Sequence, residues 1–268
     1  MKTKHKRLSI LLAAIACCPL LCPAQAAPQA DRSASAILEK ADRIFIPKNA
    51  TFRWELKVER EGEPLQDNRF LGYKKGDLKY LFYDYYPDSS YGQCHLRIDS
   101  TIWMYLPLAD DTVKTSYKAA FLNSSLSYAD VMYNELERYY DSTVLSEDTK
   151  ASGLDGEYDC YELELKAKKG ADGYARIVAY IDKARFLTVR REYFSLSGER
   201  LKEISFGGFE FSGSTVSAFK LVVNNDLDQG QKTSASFWNV EASDSMSEKY
   251  FSLNFIRTWQ PKVEGDKR

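Results

Sequence analysis

Between residues 52 and 59 apolar and charged residues alternate without a break. Phe52, Trp54, Leu56 and Val58 fall on one side of an extended segment, and Arg53, Glu55, Lys57 and Glu59 on the other. That is the pattern of a strand with one dry and one wet face. Twelve further segments read as strands: 66–74, 77–85, 93–98, 101–106, 112–117, 142–149, 157–167, 174–182, 186–195, 200–211, 214–224 and 232–241. Turn signals such as Lys75-Gly76-Asp77 and Ser197-Gly198-Glu199 separate them. Hairpin-length links and the lack of a strand–helix rhythm predict an antiparallel meander, curled into a barrel or half-barrel, and exclude a parallel sheet.

Two segments change period. Between Ala36 and Phe45, residues Ile37, Leu38, Ala41, Ile44 and Phe45 share one helical face, and Pro47 ends the run. A second helix is predicted over 127–136, opened by a Ser-x-x-Asp capping box at Ser127 and Asp130, with Val131, Met132 and Leu136 at helical spacing. The first 26 residues have the form of a secretory leader. Basic Met1–Arg7 precedes an apolar run from Leu8 to Leu21, and Ala24-Gln25-Ala26 provides small residues for cleavage after Ala26. A membrane-anchored lipoprotein is the alternative, but the stretch ending in Cys17 lacks the usual Leu of an acylation site. The expected organisation is a leader at 1–26, one domain at 27–260 and a charged tail at 261–268.

Composition narrows the function. Aromatic residues make up 13% of the chain, with 18 Tyr and 14 Phe, which suits strands and apolar clefts. Lys and Arg number 37 against 38 Asp and Glu, and the pI is near 6.2, so no nucleic-acid partner is expected. Loss of the leader removes four basic residues and no acid, leaving 33 against 38. Such a surface is not drawn to anionic lipid by charge. Three of five cysteines leave with the leader; Cys94 and Cys160 remain, either bridged or as two buried thiols.

Chemistry-bearing motifs are scarce. His95 is the one histidine beyond the leader, and its neighbour Cys94 points to the other face of a strand, so they form no dyad. The sequence carries no zinc, redox, nucleophile-elbow or phosphate-loop spacing, so neither an enzyme nor a cofactor or metal site is expected. Asn224–Gly230 resembles the start of a calcium loop, yet its Gly falls one place late and a polar hairpin turn explains it better. Apolar period-2 sets remain. Tyr80 and Phe82, then Tyr161, Leu163 and Leu165, then Ile177 and Ile181 join the Phe52–Val58 set. They form either a filled barrel core or the wall of a lipid-sized cavity.

The order of these parts resembles the LolA-like family of periplasmic outer-membrane lipoprotein carriers. The likeness is sharpest at Asp99-Ser100-Thr101-Ile102-Trp103-Met104-Tyr105-Leu106-Pro107, similar to a Trp-x-Tyr-x-Pro strand of the family, and Phe121–Asp130 resembles the loop and helix start of its lipoprotein-sorting branch. Tyr161–Lys168, Tyr174–Ile177 and Gly198–Lys202 follow in the expected order. The resemblance implies a mainly β fold, an incomplete antiparallel barrel whose open mouth is covered by helices. Ile37, Leu38, Val131 and Met132 would then sit on lid helices, and Trp103 and Tyr105 would join the cavity wall. It implies a monomeric periplasmic carrier of acylated lipoprotein or lipid, served by an inner-membrane transporter as donor and an outer-membrane acceptor. A sensor on the same scaffold, signalling to an inner-membrane protein, is the alternative. The family's Arg-Pro pair, which helps hold the lid, is replaced here by Lys75-Gly76.

Overall fold

The computed structural model describes residues 33–132, 135–170 and 173–261. The expected leader and nearly all of the expected tail lie outside these residues. Thirteen strands form one antiparallel sheet. They are β1 (Asn49–Arg60), β2 (Gln66–Lys75), β3 (Lys79–Tyr86), β4 (Cys94–Ile98), β5 (Thr101–Leu106), β6 (Asp111–Thr115), β7 (Tyr140–Ser152), β8 (Glu157–Ala167), β9 (Arg176–Asp182), β10 (Thr188–Phe194), β11 (Arg200–Ser212), β12 (Thr215–Asn225) and β13 (Gln231–Ala242). All thirteen correspond to segments read from the alternating pattern.

The strand order is β6-β5-β4-β3-β2-β1-β13-β12-β11-β10-β9-β8-β7. Each half is therefore a simple meander, and the halves join where β1 pairs with β13, from Ala50 opposite Ala242 to Arg60 opposite Gln231. β6 and β7 are left as open edges, so the barrel is incomplete, as the sequence predicts. The chain between them, 116–139, returns over the concave face and carries helices α2 (Tyr128–Met132) and α3 (Leu136–Tyr139). Helix α1 (Ala34–Phe45) lies on the same face. Its start is capped by the Ser33 hydroxyl, which accepts from the Ala36 N–H at 3.3 Å, and its end packs Phe45 against Phe206 and Phe219.

The predicted second helix is split into two. The Ser127–Asp130 capping box forms as expected, with the Ser127 N–H donating to Asp130 Oδ2 at 2.6 Å and the Asp130 N–H to Ser127 Oγ at 3.3 Å. Glu135 then leaves helical geometry, with φ −93° and ψ 69°, and its carboxylate is drawn to Lys74 and Tyr80 of the sheet. A buried ion pair outweighs the few tenths of a kcal/mol of helix propensity at that position.

The sheet is covered on both sides. The larger core, built on Trp54, Phe70 and Phe82, lies under α1 and the 116–139 segment. A second core on the outer face joins Leu81, Tyr83, Cys94 and Leu96 to Phe251 and to Ile256 of helix α4 (Leu253–Thr258). Close approach fixes one glycine in the inner wall. A Cβ on Gly72 of β2 would lie 2.2 Å from the Phe52 ring.

Candidate functional site

An aromatic stack forms the middle of the concave wall. Trp54 stacks on Phe70 at 4.1 Å and lies parallel to Phe237 at 5.4 Å, with Phe82 edge-on at 5.0 Å. Alternation on β1 to β3 and β13 places these rings on one face. Phe52, Leu56, Val58 and Tyr80 share it, and all are buried. The space before the stack is filled. Phe121, from the short 3-10 turn Phe121–Asn123, inserts its ring 5.4 Å from Trp54 and 5.7 Å from Phe70.

The turn that aims Phe121 is held through its backbone. Leu122 and Asn123 have φ of 49° and 58°, a left-handed region that costs roughly 1–2 kcal/mol for an ordinary side chain. Polar contacts offset this. Gln66 Nε2 donates to the Leu122 carbonyl at 2.9 Å, Arg60 donates to that of Asn123, and Ser124 Oγ donates to that of Phe121 at 2.7 Å.

Beside this plug lies a cavity of about 140 Å³ whose wall includes Asp130, Tyr140, Tyr174, Ile177, Arg191 and Tyr193. A smaller one of about 40 Å³ shares Asp130, Arg191 and Tyr193 and reaches Phe45, Val131 and Phe206. The larger is comparable to a benzene-sized void and below the 300–1,000 Å³ typical of ligand pockets. Neither of these two cavities holds a long acyl chain; an open groove of about 280 Å³ adjoins the first at Tyr117, Ala129, Gly173 and Tyr174. Most polar groups in the cavity walls are matched, whereas Arg191 Nε and Asp42 Oδ1 have no hydrogen-bond partner among the described residues. Lys202 Nζ lies 2.5 Å from Asp130 Oδ2 and donates to the Ser125 carbonyl at 2.9 Å, while Tyr174 Oη donates to Asp130 at 3.1 Å. Burial pushes the Tyr174 and Tyr193 phenols up and that of Tyr140 to about 12, so all three stay protonated at neutral pH. Asp42 of α1 accepts from the Glu137 N–H at 2.9 Å and faces Arg191 at 4.0 Å. Burial raises its carboxyl to about 7 although the Arg191 charge pulls the other way.

Buried cations fasten the covering segment to the sheet. Arg97 of β4 donates to the Met132 carbonyl at the end of α2, to Tyr139 Oη of α3 at 2.7 Å and to the Asp99 carbonyl at 2.9 Å. Lys74 of β2 pairs with Glu135 at 2.8 Å and donates to the Ile46 carbonyl just after α1 at 3.3 Å. Tyr80 Oη donates to the same Glu135 oxygen at 2.8 Å. One ionic cluster thus ties both covering helical segments to the wall. A second polar pair sits deeper. His95 Nε2 lies 3.3 Å from Asp84 Oδ1, and its Nδ1 lies 2.9 Å from Tyr128 Oη of α2. Burial raises the Asp84 carboxyl, and the facing imidazole opposes that rise.

A family model described only as "Uncharacterized protein" matches residues 76–258, well over half of the chain. The chain belongs to that family. Its fold is LolA-like. A LolA superfamily protein from Nitrosomonas europaea superposes with a TM-score of 0.71 at 19% identity, covering 84% of this chain and 100% of the other. A domain assigned as an outer membrane lipoprotein-sorting protein from Vibrio parahaemolyticus gives 0.71 at 20% identity, covering 85% and 100%. A DUF1329 family protein from Desulfovibrio piger gives 0.70 at 22%, covering 83% and 97%. No curated protein matches the sequence.

Within this LolA-like fold the residues singled out from sequence divide into three groups. Phe52, Trp54, Leu56, Val58, Tyr80, Phe82, Leu163, Leu165, Ile177 and Ile181 come together in the inner core with Ile37, Leu38, Val131 and Met132 of the helices. Of the wall residues, Ile177 borders the larger cavity; the others are packed shut. Trp103 and Tyr105 are corrected: both pack into the outer core, because Ile102 takes the inward position on β5. Tyr161 is half-buried at the margin of the inner face, opposite Ile181 of β9, where it packs against the inner core and stacks on Phe186 at 6.4 Å with Lys183 over its ring. Cys94 and Cys160 are free thiols in separate cores, so no bridge joins them. Asn224–Gly230 forms the β12–β13 turn, with Asp226 engaged by Arg200 at 2.6 Å. Sequence reading missed Phe121, Lys74, Arg97, Glu135 and Asp130. Their signal was faint: His95 and Arg97 share the inner face with Phe82 and Tyr80, with which they pair, but that face of β4 looks wet in sequence.

Proposed function

We propose that the chain is a periplasmic carrier that shields the acyl chains of a lipoprotein or lipid on its passage toward the outer membrane. After loss of the leader 1–26, one domain at 27–260 works as a monomer, loaded by an inner-membrane transporter and unloaded by an outer-membrane acceptor. The observation that carries this reading is an unclosed sheet whose apolar concave wall is covered by a separate segment, fastened at discrete polar points. Acyl chains enter when that segment lifts and they replace Phe121 and Met132 against Trp54, Phe70 and Phe82, with Leu163, Leu165, Ile177 and Ile181 lining the far side. Ile37, Leu38 and Val131 then close over the chain. Each buried methylene gains about 0.8 kcal/mol, so a long chain gains on the order of 10 kcal/mol, enough to displace one aromatic ring.

The test is binding of a fluorescent long-chain fatty acid or acylated peptide, with lipid that co-purifies identified by native mass spectrometry. Wild type is expected to bind. Phe121→Ala is expected to bind about tenfold more tightly, because the chain no longer has to expel the ring, a gain of about 1.4 kcal/mol. A folded wild type with no affinity for any acylated probe overturns the proposal.

A further inference from the structure

In the antiparallel ladder the hairpins β5–β6, β3–β4, β1–β2, β12–β13 and β10–β11 are successive neighbours along a single rim of the sheet. In that order they carry exposed Leu108, Tyr91, Leu65, Leu227 and Leu196. Leu108 and Leu196 are 96% and 97% exposed, about as far into solvent as a side chain goes. The opposite rim offers only Leu154 among the exposed large apolar side chains of the described residues; of the other two, Tyr86 ends β3 beside the β3–β4 hairpin of the first rim and Leu145 lies within edge strand β7. Soluble surfaces scatter such residues singly, whereas one on each of five consecutive hairpins is an ordered array. The loops have a second shared property. Segments 61–65, 87–93, 107–110, 195–199 and 226–230 hold seven acidic residues and no Lys or Arg, while the sixth hairpin of this rim, β8–β9, adds Lys168 and Lys169 beyond the five tips. Asp226, Asp110 and Glu63 pair with Arg200, Arg257 and Arg60 just outside them.

We propose that this rim docks on a zwitterionic lipid surface by inserting its leucine tips between headgroups. Each tip stands on its own turn, and Leu196 alone of the five borders the open groove at Tyr117 and Tyr174, with Phe194 and Leu201. A protein partner would need a separate preformed hole for every leucine, and Leu is under-represented among the side chains that dominate protein interfaces. The boundary between headgroups and acyl chains accepts a leucine at any spacing. Acidic flanks repel an anionic leaflet and suit the ammonium groups of phosphatidylethanolamine. The inference does not depend on acyl-chain binding in the cavity, since an empty molecule presents the same rim, and the two assays fail independently.

An environment-sensitive fluorophore placed at Leu108→Cys, Leu196→Cys or, as control, Leu145→Cys tests this in the chain from residue 27 onward, which lacks the basic, apolar leader and its Cys17, Cys18 and Cys22. Cys94 and Cys160 are buried, and burial raises the Cys160 thiol to about 12, so neither competes for label. With vesicles of phosphatidylcholine and phosphatidylethanolamine, emission at 108 and 196 is expected to shift to shorter wavelength and to be quenched by acyl-chain spin labels. The probe at 145 is expected to stay in water. Doping with phosphatidylglycerol weakens insertion at low salt, and added salt restores it by screening. Probes at 108 and 196 that behave like the one at 145 overturn the proposal, as a rim reserved for a protein partner would also show. So does insertion that strengthens with phosphatidylglycerol.

Discussion

Asp42 shows how one buried carboxyl sets a pH dependence. In the unfolded chain it titrates near 3.8 and in the fold near 7, so the folded state holds a proton that the unfolded state releases. Stability from this group is fully present below about 3.8 and is lost as pH rises through 7. Asp42→Asn is expected to flatten that slope and to raise stability by a few kcal/mol at pH 8 relative to pH 5, read from urea denaturation midpoints at the two values. Gly72 makes an opposite case, where space and not charge decides. Gly72→Ala must push the Phe52 ring aside and is expected to cost about 1–3 kcal/mol, measured as a lowered melting temperature. Neither residue stood out in the sequence. An acid on an amphipathic helix usually faces water, and a glycine beside a strand turn usually marks the turn, so only the tertiary neighbours Arg191, Glu137 and Phe52 reveal their roles.

At the scale of elements, the strands were legible because period-2 alternation survives in most of them. It fails as a guide to faces in β3 to β5, where both sides are covered. In β4, Cys94 and Leu96 enter the outer core while His95 and Arg97 are buried inward, so four consecutive residues are hidden and no wet face remains. That double cover is why Trp103 and Tyr105 were assigned to the wrong side. The covering segment 116–139 was harder still, since its position depends on contacts far away in sequence: Glu135 with Lys74 and Tyr80, and the Met132 carbonyl with Arg97. Lys74, one residue before Lys75-Gly76, holds the helices together with Arg97. Glu135→Gln leaves both cations without their buried counter-charge, a loss of roughly 3–5 kcal/mol by analogy with other broken buried pairs. Hydrogen exchange is expected to accelerate in 126–139 ahead of the β1–β13 seam. Uniform exchange rates across the chain would show that the segment and the sheet open together and that Glu135 is not a local fastener.

For the whole molecule, the sheet is a partition between two interiors of different kinds. Its concave side is closed by a long crossover that the chain makes between its two free edges, and its convex side by the C-terminal run through Phe251 and Ile256. Among the described residues the buried ion pairs belong to the concave cover; the convex cover is held mainly by apolar contacts, with Trp259 edge-on to Tyr73 and Tyr83 at 5.2 Å, beside an open groove at Tyr73, Met246 and Tyr250 and exposed pairs of Glu248 with Lys75 and Lys79. A cover fastened by a few directional polar contacts can release as a unit when those break, whereas a continuous apolar one must expose its whole area to leave. On the proposed carrier function, ligand exchange falls to the concave side and bracing to the convex side. Ile256→Asp separates the two. Placing a carboxylate among Leu81, Tyr83 and Leu96 is expected to lower the urea midpoint by the equivalent of about 3 kcal/mol or more. Acyl-probe affinity per folded molecule is expected to stay within about twofold of wild type, in contrast to the roughly tenfold gain from Phe121→Ala. If Ile256→Asp changed affinity as strongly as Phe121→Ala, the convex brace would be part of the binding machinery, and the division of labour between the two faces would be wrong.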